Sequence, residues 1–182
     1  MAVARSVGVG DRIPDVEAPL VTPGGEVIDW QLSGAITETP ALLCFYTADF
    51  ETNWQEGWSM LHELQWFSND DIDVIGISKS NTWVHRWFLD RLGLQFPLCS
   101  DRDLSIAERF GLCENAFGAI DRPRKACFLV APDRTVRDCW IGDRLSTPGG
   151  AGCAVPIGDI FESVRDQFGV PETETFGFRP IG

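Results

Sequence analysis

An α/β domain is what the sequence predicts, and three observations carry that prediction. Short apolar runs of strand length recur along the chain. Between them lie segments whose apolar residues return every three or four positions, as they do on one face of a helix. A turn signal, Pro132-Asp133-Arg134, separates the last two strand-like runs. Strands alternating with helices are the mark of the α/β class.

Each element can be justified in order. The opening stretch from Val9-Gly10-Asp11 to Pro19 leads to Gly24-Gly25, a turn between two short strands. Ala41-Leu42-Leu43-Cys44-Phe45-Tyr46 is apolar throughout and suits a central strand buried on both faces. Trp54, Trp58, Leu61, Leu64 and Phe67 then predict an amphipathic helix. A second buried strand is expected over 71–78, centred on Val74-Ile75-Gly76-Ile77. A helix follows over 82–92, presenting Trp83, Val84, Trp87 and Phe88 on one side, and Gly93 is placed to end it in a left-handed conformation. Phe96-Pro97-Leu98-Cys99 reads as a short strand, and Asp101 or Asp103 as the cap of a helix ending at Phe110-Gly111. The segments 126–130 and 135–141 make a hairpin, and Ile157, Ile160, Phe161, Val164 and Phe168 mark a final helix. A single domain is expected over residues 1–169. Residues 170–182 form a C-terminal tail without periodicity, whose Phe176, Phe178 and Ile181 would dock on its own domain or across a dimer.

Composition narrows the functional classes. The chain has 182 residues, 44% of them hydrophobic, enough for a substantial core. No run approaches the ~20 apolar residues of a membrane span, and the N-terminus lacks the apolar core of a secretion signal. A cytoplasmic location, with no membrane partner, is therefore expected. The formal charge of −12 repels nucleic acid, so no nucleic-acid partner is expected. Among the basic residues are 13 Arg and only two Lys, Lys79 and Lys125. This acidic, Lys-poor composition resembles the haloarchaeal type, suited to hydration in concentrated salt; the alternative is an ordinary acidic cytoplasmic protein of an Arg-rich genome.

Six cysteines occur, Cys44, Cys99, Cys113, Cys127, Cys139 and Cys153, with no Cys-x-x-Cys pair and no Cys/His spacing for zinc. A disulfide framework is not expected, and most are read as buried small hydrophobes. His62 and His85 have no partner at metal-ligand spacing and are read as ordinary surface or half-buried histidines. Trp58, Trp83 and Trp87 are assigned to the core, while Trp30 and Trp66 are candidates for partial exposure at an interface. Thr147-Pro148-Gly149-Gly150-Ala151-Gly152 lacks the Lys-Ser/Thr of a phosphate-binding loop and reads as a flexible connection. Neither a metal nor a cofactor is expected.

Several local words occur together in a familiar order. Val-Gly-Asp-x-x-Pro-Asp at 9–15, Phe45-Tyr46-Thr47-Ala48-Asp49-Phe50, Val74-Ile75-Gly76-Ile77-Ser78, Phe96-Pro97-Leu98-Cys99-Ser100-Asp101 and Cys127-Phe128-Leu129-Val130 with Pro132-Asp133 resemble the peroxiredoxin (AhpC/TSA, redoxin-like) family over roughly residues 9 to 143. The resemblance implies a thioredoxin-like fold, a central mixed β-sheet flanked by helices. It also implies a catalytic motif, Pro-x-x-x-Thr/Ser-x-x-Cys, whose cysteine lies in the first turn of a helix. There the helix dipole and a nearby arginine favour the thiolate that attacks peroxide.

Laid on this chain, the motif's proline falls on Thr47, its threonine on Glu51 and its cysteine on Trp54, while the arginine position is Lys125. All four differ from the family pattern. Indole carries no thiol, so Trp54 removes the nucleophile and fills much of the peroxide pocket. A carboxylate at Glu51 would repel a thiolate. Lys125 keeps a charge but lacks the guanidinium fork. Neighbouring Arg124 is a conceivable substitute, yet adjacent strand residues point to opposite faces. Glu51 and Lys125 would either pair beside Trp54 or remain two solvated charges.

The expected function follows: a peroxiredoxin-like protein, not a peroxidase by the family mechanism, acting in binding or assembly, as a homodimer or with another protein. The alternative is a thiol-dependent peroxidase using a relocated cysteine, with Cys113 and Cys153 the most accessible. A third reading is a small-molecule binder with Trp54 as a stacking surface.

Overall fold

The computed structural model describes residues 5–49, 72–116, 118–142 and 156–168. Seven strands make the main sheet: β1 (Glu17–Val21), β2 (Val27–Gln31), β3 (Ala41–Phe45), β4 (Asp73–Ser78), β5 (Leu98–Ser100), β8 (Ala126–Val130) and β9 (Val136–Ile141). Their order is β2-β1-β5-β4-β3-β8-β9. The centre is parallel, β3 with β4 and β4 with β5, and the flanks are antiparallel. Four helices are described: α1 (Leu32–Ala35), α2 (Thr82–Leu92), α3 (Ser105–Arg109) and α4 (Ile157–Phe168). No helix among the described residues is long and apolar enough to cross a membrane.

The apolar run at Ala41 becomes β3, buried at every position. Alternation sends Ala41, Leu43 and Phe45 to one face and Leu42 and Cys44 to the other. On the first face Phe45, Phe110 and Phe128 meet in a trio, with centroids 4.9, 5.8 and 5.3 Å apart. On the second, Phe88 and Leu89 of α2 and Ile160 and Val164 of α4 cover Leu42, Cys44, Cys127 and Leu129. Gly76 in β4 is forced by this packing: a Cβ there would lie 2.6 Å from a methyl of Leu98.

Caps and turns follow the local residues. Asn81 accepts from the backbone N–H groups of Trp83 and Val84 at the start of α2, and Gly93 closes that helix at φ 62°. Leu104, and neither candidate aspartate, occupies the cap position of α3, but Asp101, buried, accepts from the N–H groups of Ile106 and Ala107, and Asp103 accepts from that of Ser105. Burial pushes the Asp101 carboxyl up even though two amides donate to it.

Several expectations are corrected. A two-stranded ribbon, β6 (Cys113–Ala116) with β7 (Ile120–Pro123), occupies what reads as a connecting segment. It buries a salt bridge in which Arg122 Nη2 donates to Glu114 at 2.7 Å. Trp30 is buried, not partly exposed, because it faces the core from β2 opposite Ala18. Trp83 and Trp87 are exposed, not core, since α2 turns His85, Phe88 and Leu89 inward. His85 itself is fully buried, not a surface or half-buried residue. Trp54, Trp58, Trp66, His62 and the 170–182 tail lie outside the described residues.

Candidate functional site

Parallel strands end together, and their C-terminal edge is where open α/β sheets carry their chemistry. Here that edge gathers the segment after β3, the Ser78-Lys79-Ser80 segment at the end of β4, and Ser100-Asp101 at the end of β5. The antiparallel register of β3 and β8 pairs Phe45 with Ala126, which brings the residues just beyond them, Tyr46 and Lys125, to the same edge. Thr47 is tied to this edge by its carbonyl, which accepts from the Lys79 N–H at 3.4 Å. Of the four motif positions, the structure therefore brings Thr47 and Lys125 to one end of the sheet; Glu51 and Trp54 lie outside the described residues.

Beneath Thr47 sits a polar cluster that sequence reasoning missed. Tyr46, Asp49 and His85 are all fully buried. The Tyr46 hydroxyl donates to Asp49 Oδ1 at 2.7 Å, and His85 Nδ1 lies 2.8 Å from Asp49 Oδ2. His85 Nε2 lies 3.2 Å from the carbonyl oxygen of Cys99, which can only accept, so Nε2 carries a hydrogen. Each of these buried groups thus meets a partner of complementary type, which is the condition for burying two ionisable residues.

The brace extends into the backbone. The Asp49 N–H donates to Ser80 Oγ at 3.0 Å, and Ser100 Oγ donates to the Ser80 carbonyl at 2.7 Å. Burial, and then the Asp49 carboxylate, push the Tyr46 hydroxyl well up, so it stays a neutral donor. Residues 46–49, which include the first motif position, Thr47, are thereby fixed to β4, β5 and α2. His85 shares the inward helical row of Phe88, Leu89 and Leu92, but the more hydrophobic Trp83–Trp87 row hides that row in the sequence.

The basic positions are also placed. Arg124 directs Nε and Nη2 at the carbonyl of Gly142, at 3.1 and 2.5 Å, so its guanidinium is occupied at the end of β9. Lys79 Nζ donates to the carbonyl of Asp121 in β7.

The described thiols have their own geometry. Cys44 and Cys127 face each other across β3 and β8 with sulfurs 3.8 Å apart, and the contact with Cys127, then burial, push the Cys44 thiol well up. Burial pushes up Cys99 and Cys139 as well. Cys113 is not in a loose connection but opens β6, half-buried, its Sγ 3.7 Å from the Leu104 carbonyl. Burial, and then the charges of Glu108, Asp101 and Asp121, raise it to about 11. Cys153 lies outside the described residues. A shallow cleft, open to solvent, is lined by Leu42, Cys127, Leu129, Trp140 and Ile160; it adjoins the beginning of β3, away from Thr47.

The comparisons with known proteins meet this geometry at the same segments. The model of the AhpC/TSA family matches residues 9–139. The chain belongs to the AhpC/TSA family. A putative peroxiredoxin bcp of Coxiella burnetii (strain RSA 493 / Nine Mile phase I) is 27% identical over 146 residues, which span 74% of this chain and 89% of that protein. Among solved structures, a PrxQ mutant of Xylella fastidiosa aligns with TM-score 0.67 at 20% identity, covering 90% of this chain and 98% of that one. Peroxidoxin BcpB of Mycobacterium tuberculosis aligns with TM-score 0.63 at 23% identity, covering 74% and 86%. The mixed sheet and flanking helices of this AhpC/TSA protein are thus the thioredoxin-like fold of peroxiredoxins.

Proposed function

We propose that this AhpC/TSA-family protein does not reduce peroxides by the family's thiolate mechanism and acts instead in binding or assembly. The observation that carries the reading is Trp54, which stands where the family motif has its cysteine. Peroxide reduction needs a sulfur nucleophile that accepts oxygen to become a sulfenic acid, and indole offers none. Thr47, Glu51 and Lys125 at the other three positions support it, because none reproduces the motif's residue. The described thiols add support against a relocated nucleophile. Cys44, Cys99, Cys113 and Cys139 are all held toward the neutral form, whereas a reactive cysteine is stabilised as thiolate. The formal charge of −12 fits a cytoplasmic protein of concentrated salt whose partner is protein, not nucleic acid.

The test is exposure to hydrogen peroxide in high salt, followed by intact and peptide mass spectrometry. Slow oxidation scattered over the six cysteines is the expected outcome. Rapid sulfenic acid or disulfide formation at one residue, Cys113 or Cys153 included, would overturn the proposal and name the nucleophile. A chain carrying Trp54→Cys with Thr47→Pro, Glu51→Thr and Lys125→Arg is expected to gain peroxide reactivity at position 54.

A further inference from the structure

α4 covers one face of the sheet through Ile160 and Val164, which pack in one layer with Leu42, Cys127 and Leu129 of β3 and β8. The strand register carries that face on to β9. Leu42 pairs with Leu129 and Leu129 with Asp138; Cys44 pairs with Cys127 and Cys127 with Trp140. Directly opposed residues share a face, so Asp138 and Trp140 lie on the side that α4 covers. Both remain only half-buried, and with Ile160 and Ser163 of α4 they line the shallow cleft. Gly142 leaves room for the indole, since a Cβ there would come within 3.1 Å of its ring. The cleft is thus an apolar strip in which, among its described lining residues, only Asp138 is charged. Asp138 Oδ1 accepts from the Cys139 N–H at 2.8 Å, and a carboxylate has a second oxygen to offer.

The chain itself carries a segment of matching character. Residues 170–182 set three apolar side chains, Phe176, Phe178 and Ile181, in an otherwise polar stretch, and Arg179 is its only cation. Two positions apart, Phe176 and Phe178 fall on one side of an extended backbone, and Gly177 between them adds no side chain. The reach suffices. Phe168, at the end of α4, packs on the same core layer as Ile160, so the segment starts beside that layer. From Phe168 back to Ile160 the helix measures about 12 Å. The stretch 169–176, if extended, spans about 26 Å.

We propose that residues 170–182 fold back over this cleft within their own chain, Phe176 and Phe178 lying on Trp140 and Ile160 and Arg179 meeting Asp138. Three properties select this occupant. Aromatic side chains on an indole gain more than their buried area alone supplies. The single carboxylate of the cleft calls for a cation, and the segment brings one in a chain otherwise dominated by acidic groups. The short tether to α4 holds the segment near the cleft at an effective concentration of about a millimolar, so weak contacts suffice. The surface lies away from Thr47, and peroxide reactivity, present or absent, has no bearing on it.

The experiment is carbodiimide coupling of the full chain carrying Arg179→Lys, which keeps the charge and supplies an amine that forms an amide with a neighbouring carboxylate. It is run in potassium chloride on an equal mixture of unlabelled and isotopically labelled chains, and the joined peptides are identified by mass spectrometry. The expected product joins position 179 to Asp138, and not to the exposed Asp159 or Glu162 of α4, with both peptides of one isotopic kind. Adding Phe176→Ser and Phe178→Ser, outside the packed domain, should lower its yield about tenfold or more. No coupling at Asp138, coupling scattered over the surface carboxylates, or a yield indifferent to the two phenylalanines would overturn the proposal. A 138–179 product of mixed isotopes would overturn it as well, by giving the cleft to the segment of another copy.

Discussion

The Tyr46–Asp49–His85 brace and the thiols of the sheet are both buried polar groups, yet burial has opposite consequences for them. In the brace every buried atom that can ionise meets a partner of complementary type: a hydroxyl on one carboxylate oxygen, a ring nitrogen on the other, and a carbonyl on the second ring nitrogen. Two ionisable residues can then sit in a dry interior and fix the backbone around them. Among the described residues Cys44 meets the weakly polar sulfur of Cys127, and Cys99 is governed mainly by desolvation. Those thiols behave as small apolar fillers. Complementary partners make a buried polar group structural and directional; burial without them makes it inert.

The largest effect should come from breaking the brace at its centre. Asp49→Ala leaves the His85 ring nitrogen and the Tyr46 hydroxyl buried without their shared acceptor, and a loss of about 3–5 kcal/mol is expected. Urea unfolding measures it. A loss below about 1 kcal/mol would mean that the cluster is only space-filling. Tyr46→Phe is milder, since the shape is kept and one donor to the carboxylate is removed. It should cost about 1–3 kcal/mol by the same measurement.

How much of this was legible follows the range of each signal. β3, β4 and the β8–β9 hairpin were visible because their apolar runs are continuous and the Pro132-Asp133-Arg134 turn is local. α2 was visible too, down to the left-handed Gly93 at its end. Which side of α2 faces inward was not. Trp83, Val84, Trp87 and Phe88 outweigh a row that contains a histidine, so a hydrophobicity count favours the wrong stripe. The winning row contains His85 because Asp49, 36 positions earlier, satisfies it. Partnerships of that range leave no trace in periodicity. The β6–β7 ribbon was missed for a related reason. Its four-residue strands carry Glu114 and Arg122, which read as loop charges until they pair across the ribbon. At the motif, the sequence alone supplied Thr47, Glu51, Trp54 and Lys125, and the sheet register then brought Thr47 and Lys125 to one edge.

The smallest effect is on Cys113, where the comparison can be sharpened without altering the fold. Its thiol, half-buried and facing the charges of Glu108, Asp101 and Asp121, is raised to about 11. Only the thiolate alkylates, so the labelling rate at Cys113 should climb roughly tenfold per pH unit from about pH 7 to pH 10 without levelling off. The same peptide in urea should level off near the ordinary thiol value of about 8.5. The sign follows from the shift: the fold favours the neutral thiol, so as pH rises beyond about 8.5 the ionising unfolded chain gains on the native state. Quantifying the Cys113 peptide by mass spectrometry after timed alkylation gives the profile. A plateau near neutrality in the native protein would mean that a partner favours the thiolate there, and Cys113 would then join the class of directed polar groups that the brace exemplifies.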